Sequence, residues 1–349
     1  MKKVLATILA LVMALSVTTM AWADDVAKIG NTGYATLKAA IEHVADGETI
    51  VLTADVNNGD GIVVASGKNF TLDFAGYTYT ITQNVVGSTG TENQCFQLLR
   101  DSTITMKDGA IVANCTGAKM IIQNYCNLTL DNMKLDATVG DNNVGYVVSN
   151  NCGNVFIKNG TTITAKTTGV AFDVYGGFQN YGDVSVTLEA GATVNGKVEV
   201  ARDTGTQNKN TLTVTGGTVN GELVVTENEK TKVAVTGGTF STDVTEYLAE
   251  GKILQKNGDT YTAVTNSAIT SGTYTSEPTV PSGYKATKND DGTWTVSKVS
   301  YYYYQPTTDT KTTDTKGSPK TFDAGIALYV GMALTSAAGV AFVGKKRED

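Results

Sequence analysis

A short alternating motif recurs through the middle of the chain: apolar, usually Thr, apolar, then a charge or Thr. Its copies are FTLD from Phe70, ITMK from Ile104, LTLD from Leu128, VFIK from Val155, VTLE from Val186, LTVT from Leu212 and VAVT from Val233. Alternation with a period of two marks a strand that buries one face. The copies begin 34, 24, 27, 31, 26 and 21 residues apart, a spacing that signals stacked structural repeats. The aliphatic positions, from Phe70 and Leu72 through to Val233 and Val235, are expected to point inward and stack. Thr71, Thr105, Thr129, Thr187 and Thr213 are expected to form a ladder on the outer face.

Each copy continues in the same way. A turn follows the strand, usually with Gly (Gly109, Gly160, Gly191, Gly217, Gly238), and a second short strand carries Ile111, Leu135, Ile163, Val194, Val219 or Phe240. Most copies add a third strand: CFQLL (95–99), KMIIQ (119–123), YVVS (146–149), VAFDV (170–174), KVEV (197–200) and ELVV (222–225). Three strands per coil predict an all-β chain built around a right-handed parallel β-helix. The arrangement broadly resembles the pectate-lyase-like solenoids.

Both ends of such a stack need covering, because an open coil presents unpaired backbone. Ahead of the first coil, residues 34–45 place Leu37, Ala40, Ile41 and Val44 on one helical face, which predicts an amphipathic cap with His43 on it. Behind the last coil, residues 237–264 align with 271–296, matching Phe240 to Tyr274, Gly251 to Gly283 and Tyr261 to Trp294. Asn257-Gly258 and Asp291-Gly292 are hairpin-turn signals within these units. The units resemble terminal repeats common on anchored proteins of gut Firmicutes.

The two termini bear on location. Lys2 and Lys3, an apolar stretch from Val4 to Val17, and Ala21-Trp22-Ala23 before Asp24 form a secretory leader with a small-x-small cleavage signal, so export is expected. At the other end, Ala324 to Val343 carry no charge, and Lys345, Lys346 and Arg347 follow. Twenty uncharged residues are enough helix to cross a ~30 Å hydrocarbon core, and the basic stub suits a cytoplasmic flank. Ser318-Pro319-Lys320-Thr321-Phe322 stands just before the span. Motif, span and basic tail in that order resemble the cell-wall sorting signal of Gram-positive surface proteins, Leu-Pro-x-Thr-Gly. Pro319 and Thr321 match it, whereas Ser318 and Phe322 depart from it. The resemblance implies that a sortase thiolate attacks the Thr321 carbonyl and passes the chain to a peptidoglycan amine, with the C-terminal helix holding the precursor in the membrane until then. Plain membrane tethering is the alternative. The expected organisation is a leader (1–23), a cap (24–48), the solenoid (49–241), hairpin repeats (242–300), a Tyr/Thr-rich linker (301–317) and a sorting signal (318–349, with its span at 324–343).

Processing changes the charge balance. Without the leader and the residues after Thr321, the chain keeps 22 bases and 31 acids, a net charge of −9. That excludes nucleic acid as an expected partner and suits an exposed surface protein.

Candidate chemistry is sparse. His43 is the chain's one histidine, and Arg100 and Arg202 are the two arginines of the processed chain. A multi-histidine metal site is thereby excluded and a histidine triad disfavoured, so neither a metal nor a cofactor is expected. One position of the repeat reads Asp73, Lys107, Asp131, Lys158, Glu189, an alternation better suited to cross-strand ion pairs than to acid–base catalysis. Cys126 and Cys152 precede aligned strands one coil apart. Rungs ~4.8 Å apart are within disulfide reach, so they form either a disulfide or a stacked pair of buried thiols. Tyr175, Phe178 and Tyr181 sit in a Gly-containing connection (YGGFQNY), where rings can stack on a sugar or plug a solenoid corner.

The leading expectation is a non-enzymatic, wall-anchored surface protein: an adhesin, glycan binder or structural stalk facing an extracellular glycan or host surface. A surface polysaccharide lyase or glycoside hydrolase is the alternative. The processing expectation is checked by mass spectrometry of muramidase-released protein. The mature chain should begin at Asp24 and end at Thr321 linked to peptidoglycan; peptides retaining Phe322 onward would leave only a membrane tether.

Overall fold

The computed structural model describes residues 25–300. The leader, the linker from Tyr301 and the whole sorting signal, including Ser318–Phe322 and the span at 324–343, lie outside the described residues. Within them the chain is mainly β, and its strands stack in parallel in the manner of a β-solenoid.

Three ladders make up the stack. The first runs in register through Thr49–Leu52, Asn69–Asp73, Thr103–Ala113, Asn127–Asp136, Gly153–Ile157, Val184–Leu188, Asn210–Val214 and Thr231–Val235. A second begins at Val56–Gly59 and Thr78–Ile81, uses the later halves of the two long strands, and ends at Thr239–Phe240. The third joins Ile62–Val64, Gln94–Leu98, Met120–Asn124, Tyr146–Asn150, Val170–Val174, Lys197–Val200 and Leu223–Val225.

The alternation in the repeat dictates which side chains fill the interior. Phe70, Leu72, Ile104, Met106, Leu128, Leu130, Val155, Ile157, Val186, Leu188, Leu212, Val214 and Val235 are buried. Val233 is only partly buried, since its strand is the last rung of the first ladder. The Thr column stands outside in register: Thr71 beside Thr105, Thr105 beside Thr129, Thr187 beside Thr213, with Phe156 interrupting it at 39% exposure.

Turn chemistry departs from expectation in two coils. Gly160, Gly191, Gly217 and Gly238 take positive φ at the first corner. In the coils with the long strands, Asp108 and Asn132 adopt that conformation instead, and Asn132 Nδ2 donates to Asp108 Oδ1 at 2.9 Å. Short polar side chains tolerate the left-handed region because they bond locally. Gly109 serves another purpose: a Cβ there would collide with Phe74 and the Tyr77 carbonyl of the preceding coil.

The cap is more elaborate than a helix. Ala27–Ile29 pairs antiparallel with both Thr32–Tyr34 and Thr49–Leu52, so a hairpin strand covers the edge of the first coil. Tyr34 belongs to that hairpin, and the helix α1 begins later, at Leu37–His43, with Thr36 capping Ala39 N at 3.1 Å. Leu37, Ala40, Ile41 and Val44 are buried against the core. At the far end, Lys252–Asn257 and Thr260–Thr265 form one hairpin, and Tyr284–Lys288 and Trp294–Lys298 another. Phe240 faces Tyr261 and Tyr274 faces Trp294, the same pair in each unit. The first hairpin turns at Gly258-Asp259, one residue later than the Asn-Gly signal, because Asn257 still pairs with Thr260. Among the described residues no helix is long and apolar enough to cross a membrane.

Burial on the inner face sets the cost of truncation. Leu130→Ala removes a fully buried side chain flanked by Met106 and Ile157, and should destabilise by about 2–5 kcal/mol. Thr129→Ala, one residue away on the outer face, should change stability by less than about 1 kcal/mol. Urea unfolding of the two variants checks the contrast.

Candidate functional site

The corner where the third ladder hands the chain to the first gathers most of the molecule's unusual chemistry. Its short connections include residues 99–102, 125–126 and 151–152; its long ones are 175–183 and 201–209. Rungs stack in register, so Arg100, Tyr125 and the start of each long connection fall along one edge. Buried asparagines anchor this edge. Asn124 Nδ2 donates to Asn150 Oδ1 at 3.3 Å, Asn150 Nδ2 to the Asp173 carbonyl at 2.9 Å, and Asn210 Oδ1 accepts from Gly176 N at 2.6 Å. Each carries a polar group inside the coil with its hydrogen bonds made, as burial requires.

The two long connections brace each other. Asn208 Nδ2 donates to the Phe178 carbonyl at 2.8 Å, Asn208 N donates to the Gly176 carbonyl at 2.8 Å, and the Tyr175 hydroxyl donates to Asp203 Oδ2 at 2.7 Å. The 175–183 connection then folds back over earlier coils. There Arg100 Nη1 donates to the Asn180 carbonyl at 2.8 Å, and its guanidinium lies 5.0 Å from the Tyr181 ring centre. Tyr175, Phe178 and Tyr181 are brought together, and Tyr125 joins them. Ring centres are 6.1 Å apart for Tyr175–Phe178, 5.6 Å for Phe178–Tyr181 and 5.0 Å for Tyr125–Tyr181. Phe178 and Tyr181 nevertheless stay 41% exposed. Burial pushes the Tyr125 hydroxyl up to about 12. Beside the cluster opens a cleft of about 490 Å³ whose walls include Arg100, Asp101, Tyr125, Cys152, Tyr181 and Asp183.

Arg202 organises the other half. It sits 4.9 Å from the Tyr146 ring centre and 4.7 Å from that of Tyr175, and its Nη2 lies 3.0 Å from Asp173 Oδ2. Asp173 is 1% exposed and also accepts from Asn150 N at 2.6 Å and Ser149 Oγ at 3.2 Å. Its burial outweighs these partners and raises the carboxyl to about 6. On the next rung Glu199, the register partner of Asp173, bonds Lys197 at 2.7 Å and accepts from the Tyr146 hydroxyl at 3.1 Å. Both carboxylates are thus engaged by neighbouring side chains.

Several sequence expectations meet the structure here. Of the two readings left open for Cys126 and Cys152, the structure has the buried free thiols. Cys152 Sγ donates to the Tyr125 carbonyl at 2.8 Å and Cys126 Sγ to Asn124 Oδ1 at 3.2 Å, directing both thiols at oxygens of the corner. The alternating charge column forms only one ion pair between its rungs, Lys107 with Asp73 at 2.7 Å; Lys107 gives its other contact to Asp108 at 2.8 Å rather than to Asp131. Among the described residues no group of three or more His, Cys, Asp or Glu converges as a metal site. Sequence reasoning missed Tyr125, Tyr146 and the convergence of both arginines. Tyr125 was within reach, since it directly follows a third strand; the fold-back of residues 175–183 leaves no periodic trace.

The raised Asp173 carboxyl gives a pH signature. The folded state keeps this proton to about pH 6, whereas an unfolded Asp releases it near pH 4. Between those values the folded chain binds more protons, so this group's contribution to stability falls as pH rises and levels off above 6. The gap amounts to on the order of 3 kcal/mol. Urea unfolding from pH 4 to pH 7 should show wild type losing stability relative to Asp173→Asn across that window; parallel curves would contradict it.

No protein-family model, curated protein or solved structure matches the chain.

Proposed function

We propose that this chain is a cell-wall-anchored surface protein of a Gram-positive bacterium, presenting a right-handed, pectate-lyase-like solenoid that binds an extracellular glycan without turning it over. The leader and the Ser318–Phe322 motif with its span and basic tail support export, sortase recognition and attachment to peptidoglycan. The observation that carries the binding reading is the exposed pair Phe178 and Tyr181, held in place from behind. Arg100 pins the Asn180 carbonyl and stacks on Tyr181, and Tyr125 lies beneath both rings. Rigid, part-exposed rings beside a cleft with polar walls are what an apolar sugar face and its hydroxyls require. Little ordering entropy is then lost on binding.

A polysaccharide lyase or glycoside hydrolase is the second reading. Asp173 and Glu199 on adjacent rungs favour it, because two neighbouring carboxyls, one of them raised, are the pattern of an acid–base pair. Against it stands access. Asp173 lies under Arg202 at 1% exposure with both oxygens accepting hydrogen bonds, so no substrate proton reaches it in this arrangement.

The purified protein, incubated with immobilised pectins, host mucin glycans and plant polysaccharides, should be retained by one of them without releasing unsaturated or reducing ends. Tyr181→Ala should weaken retention about tenfold, roughly 1.4 kcal/mol. Release of ends by wild type, abolished in Asp173→Asn or Asp131→Asn, would establish the enzyme instead.

A further inference from the structure

The third ladder stops one coil before the other two. Its last strand, Leu223–Val225, is the end member of its sheet, whereas the first and second ladders continue to Thr231–Val235 and Thr239–Phe240. After Phe240 the chain makes a single helical turn, Thr245–Tyr247, and Leu248 bridges back to Val235, so this coil skips its third strand. The terminal hairpins pair onto the second ladder instead. Val198 N donates to the Glu222 carbonyl and Thr226 N to the Val200 carbonyl, both at 2.9 Å. Peptide groups alternate sides along a strand, so Leu223 and Val225 aim their N–H and C=O groups the other way. Among the described residues no strand receives them.

A cleft of about 490 Å³ opens at this edge, with Val225, Val233 and Tyr247 in its wall and the exposed Glu227, Glu229 and Glu246 around it. Val200 and Val214, one coil earlier, are buried, but Val225 and Val233 are only partly so. The Thr231 hydroxyl, buried in the same wall, has no hydrogen-bond partner among the described residues. None of the three glutamates forms an ion pair among those residues. Lys230, between two of them in sequence, turns its ammonium to the Thr206 and Gln207 carbonyls of the preceding coil.

We propose that this open edge takes a short extended segment of a partner polypeptide, with alternating apolar and basic side chains, as the missing third strand. Main-chain hydrogen bonds to Leu223 and Val225 supply the affinity common to strand addition, and side-chain contacts supply the selection. Apolar residues of the segment continue the columns Val198–Leu223 and Val200–Val225, removing the half-exposed aliphatic surface from water. Its basic residues answer the three unpaired glutamates. The processed chain is itself acidic, which disfavours a second copy at the same rim. A bare edge pairs with any strand it meets; the glutamates restrict the choice to a basic one. This inference is independent of the glycan reading.

The probe is the fluorescently labelled peptide Lys-Val-Lys-Val-Lys-Val-Lys, titrated with purified full-length protein and followed by anisotropy. Saturable binding is expected, and it should vanish when the lysines are replaced by glutamates. A fully N-methylated peptide keeps the charge, loses every backbone donor and should bind at least about tenfold more weakly. Glu227→Lys combined with Glu229→Lys, both on an exposed connection, should weaken binding by about tenfold. Val225→Pro removes one outward N–H without touching a ladder bond and should act likewise; circular dichroism checks the fold of both variants. No saturable binding, equal binding of the N-methylated peptide, or unchanged binding by the folded glutamate variant overturns the proposal. Sedimentation velocity identifies the other occupant. A dimer that excludes the peptide and dissociates on Val225→Pro makes the edge a contact between copies, and overturns the proposal too.

Discussion

Everything in this fold depends on in-register parallel pairing between coils. Rungs ~4.8 Å apart place like positions on top of one another, so the interior is a set of aliphatic columns such as Leu72, Met106, Leu130, Ile157, Leu188 and Val214. A one-residue slip would turn every one of these side chains outward. Buried area therefore enforces register along the first ladder, and register in turn fixes where each connection emerges. The asparagines at the third corner perform the same service with polar groups, since Asn124 reaches Asn150 only when the rungs are aligned.

That constraint leaves the connections free to vary. Lengthening a surface loop adds closure entropy only slowly, and the unequal repeat spacing is a record of it. The corner after the third strand holds two residues at 125–126 and 151–152, yet nine at 175–183 and at 201–209. The extra chain does not hang loose. It is tied down by Asn208, by Tyr175 on Asp203 and by Arg100 on Asn180. Two arginines in the described chain both lie against tyrosine rings here. A guanidinium can stack on a ring and still donate hydrogen bonds in its own plane, which a lysine ammonium cannot match.

The strands were legible because their signal is periodic: FTLD, LTLD and VTLE announce which face is buried without reference to any partner. Features set by a second coil were not. Gly109 reads as a turn glycine, but its small size is required by Phe74 one coil earlier, and the left-handed residue is Asp108. The charge column reads as a chain of ion pairs, yet Lys107 has a nearer carboxylate in Asp108, brought round by that same turn. Cys126 and Cys152 are aligned by motif, yet each thiol donates to an oxygen set by the corner, the Asn124 side chain and the Tyr125 carbonyl. For the candidate site, the aromatic residues of YGGFQNY were visible; the arginines, Tyr125 and Tyr146 around them were not, because three coils of stacking separate Arg100 from Asn180 in sequence.

Asp173 shows how the stack decides between chemistry and structure. A buried carboxylate needs partners, and removing one of them leaves an uncompensated charge. Arg202, Ser149 and Asn150 N are supplied by neighbouring coils, so the group is satisfied only once those coils have closed around it. A catalytic acid must instead keep one oxygen turned to the substrate, at the expense of such bonds. With every oxygen accounted for inside the corner, the ion pair braces the Tyr146–Arg202–Tyr175 stack. The rings left over for a ligand, Phe178 and Tyr181, keep 41% of their surface exposed and meet this stack through Tyr175, whose ring centre is 6.1 Å from that of Phe178.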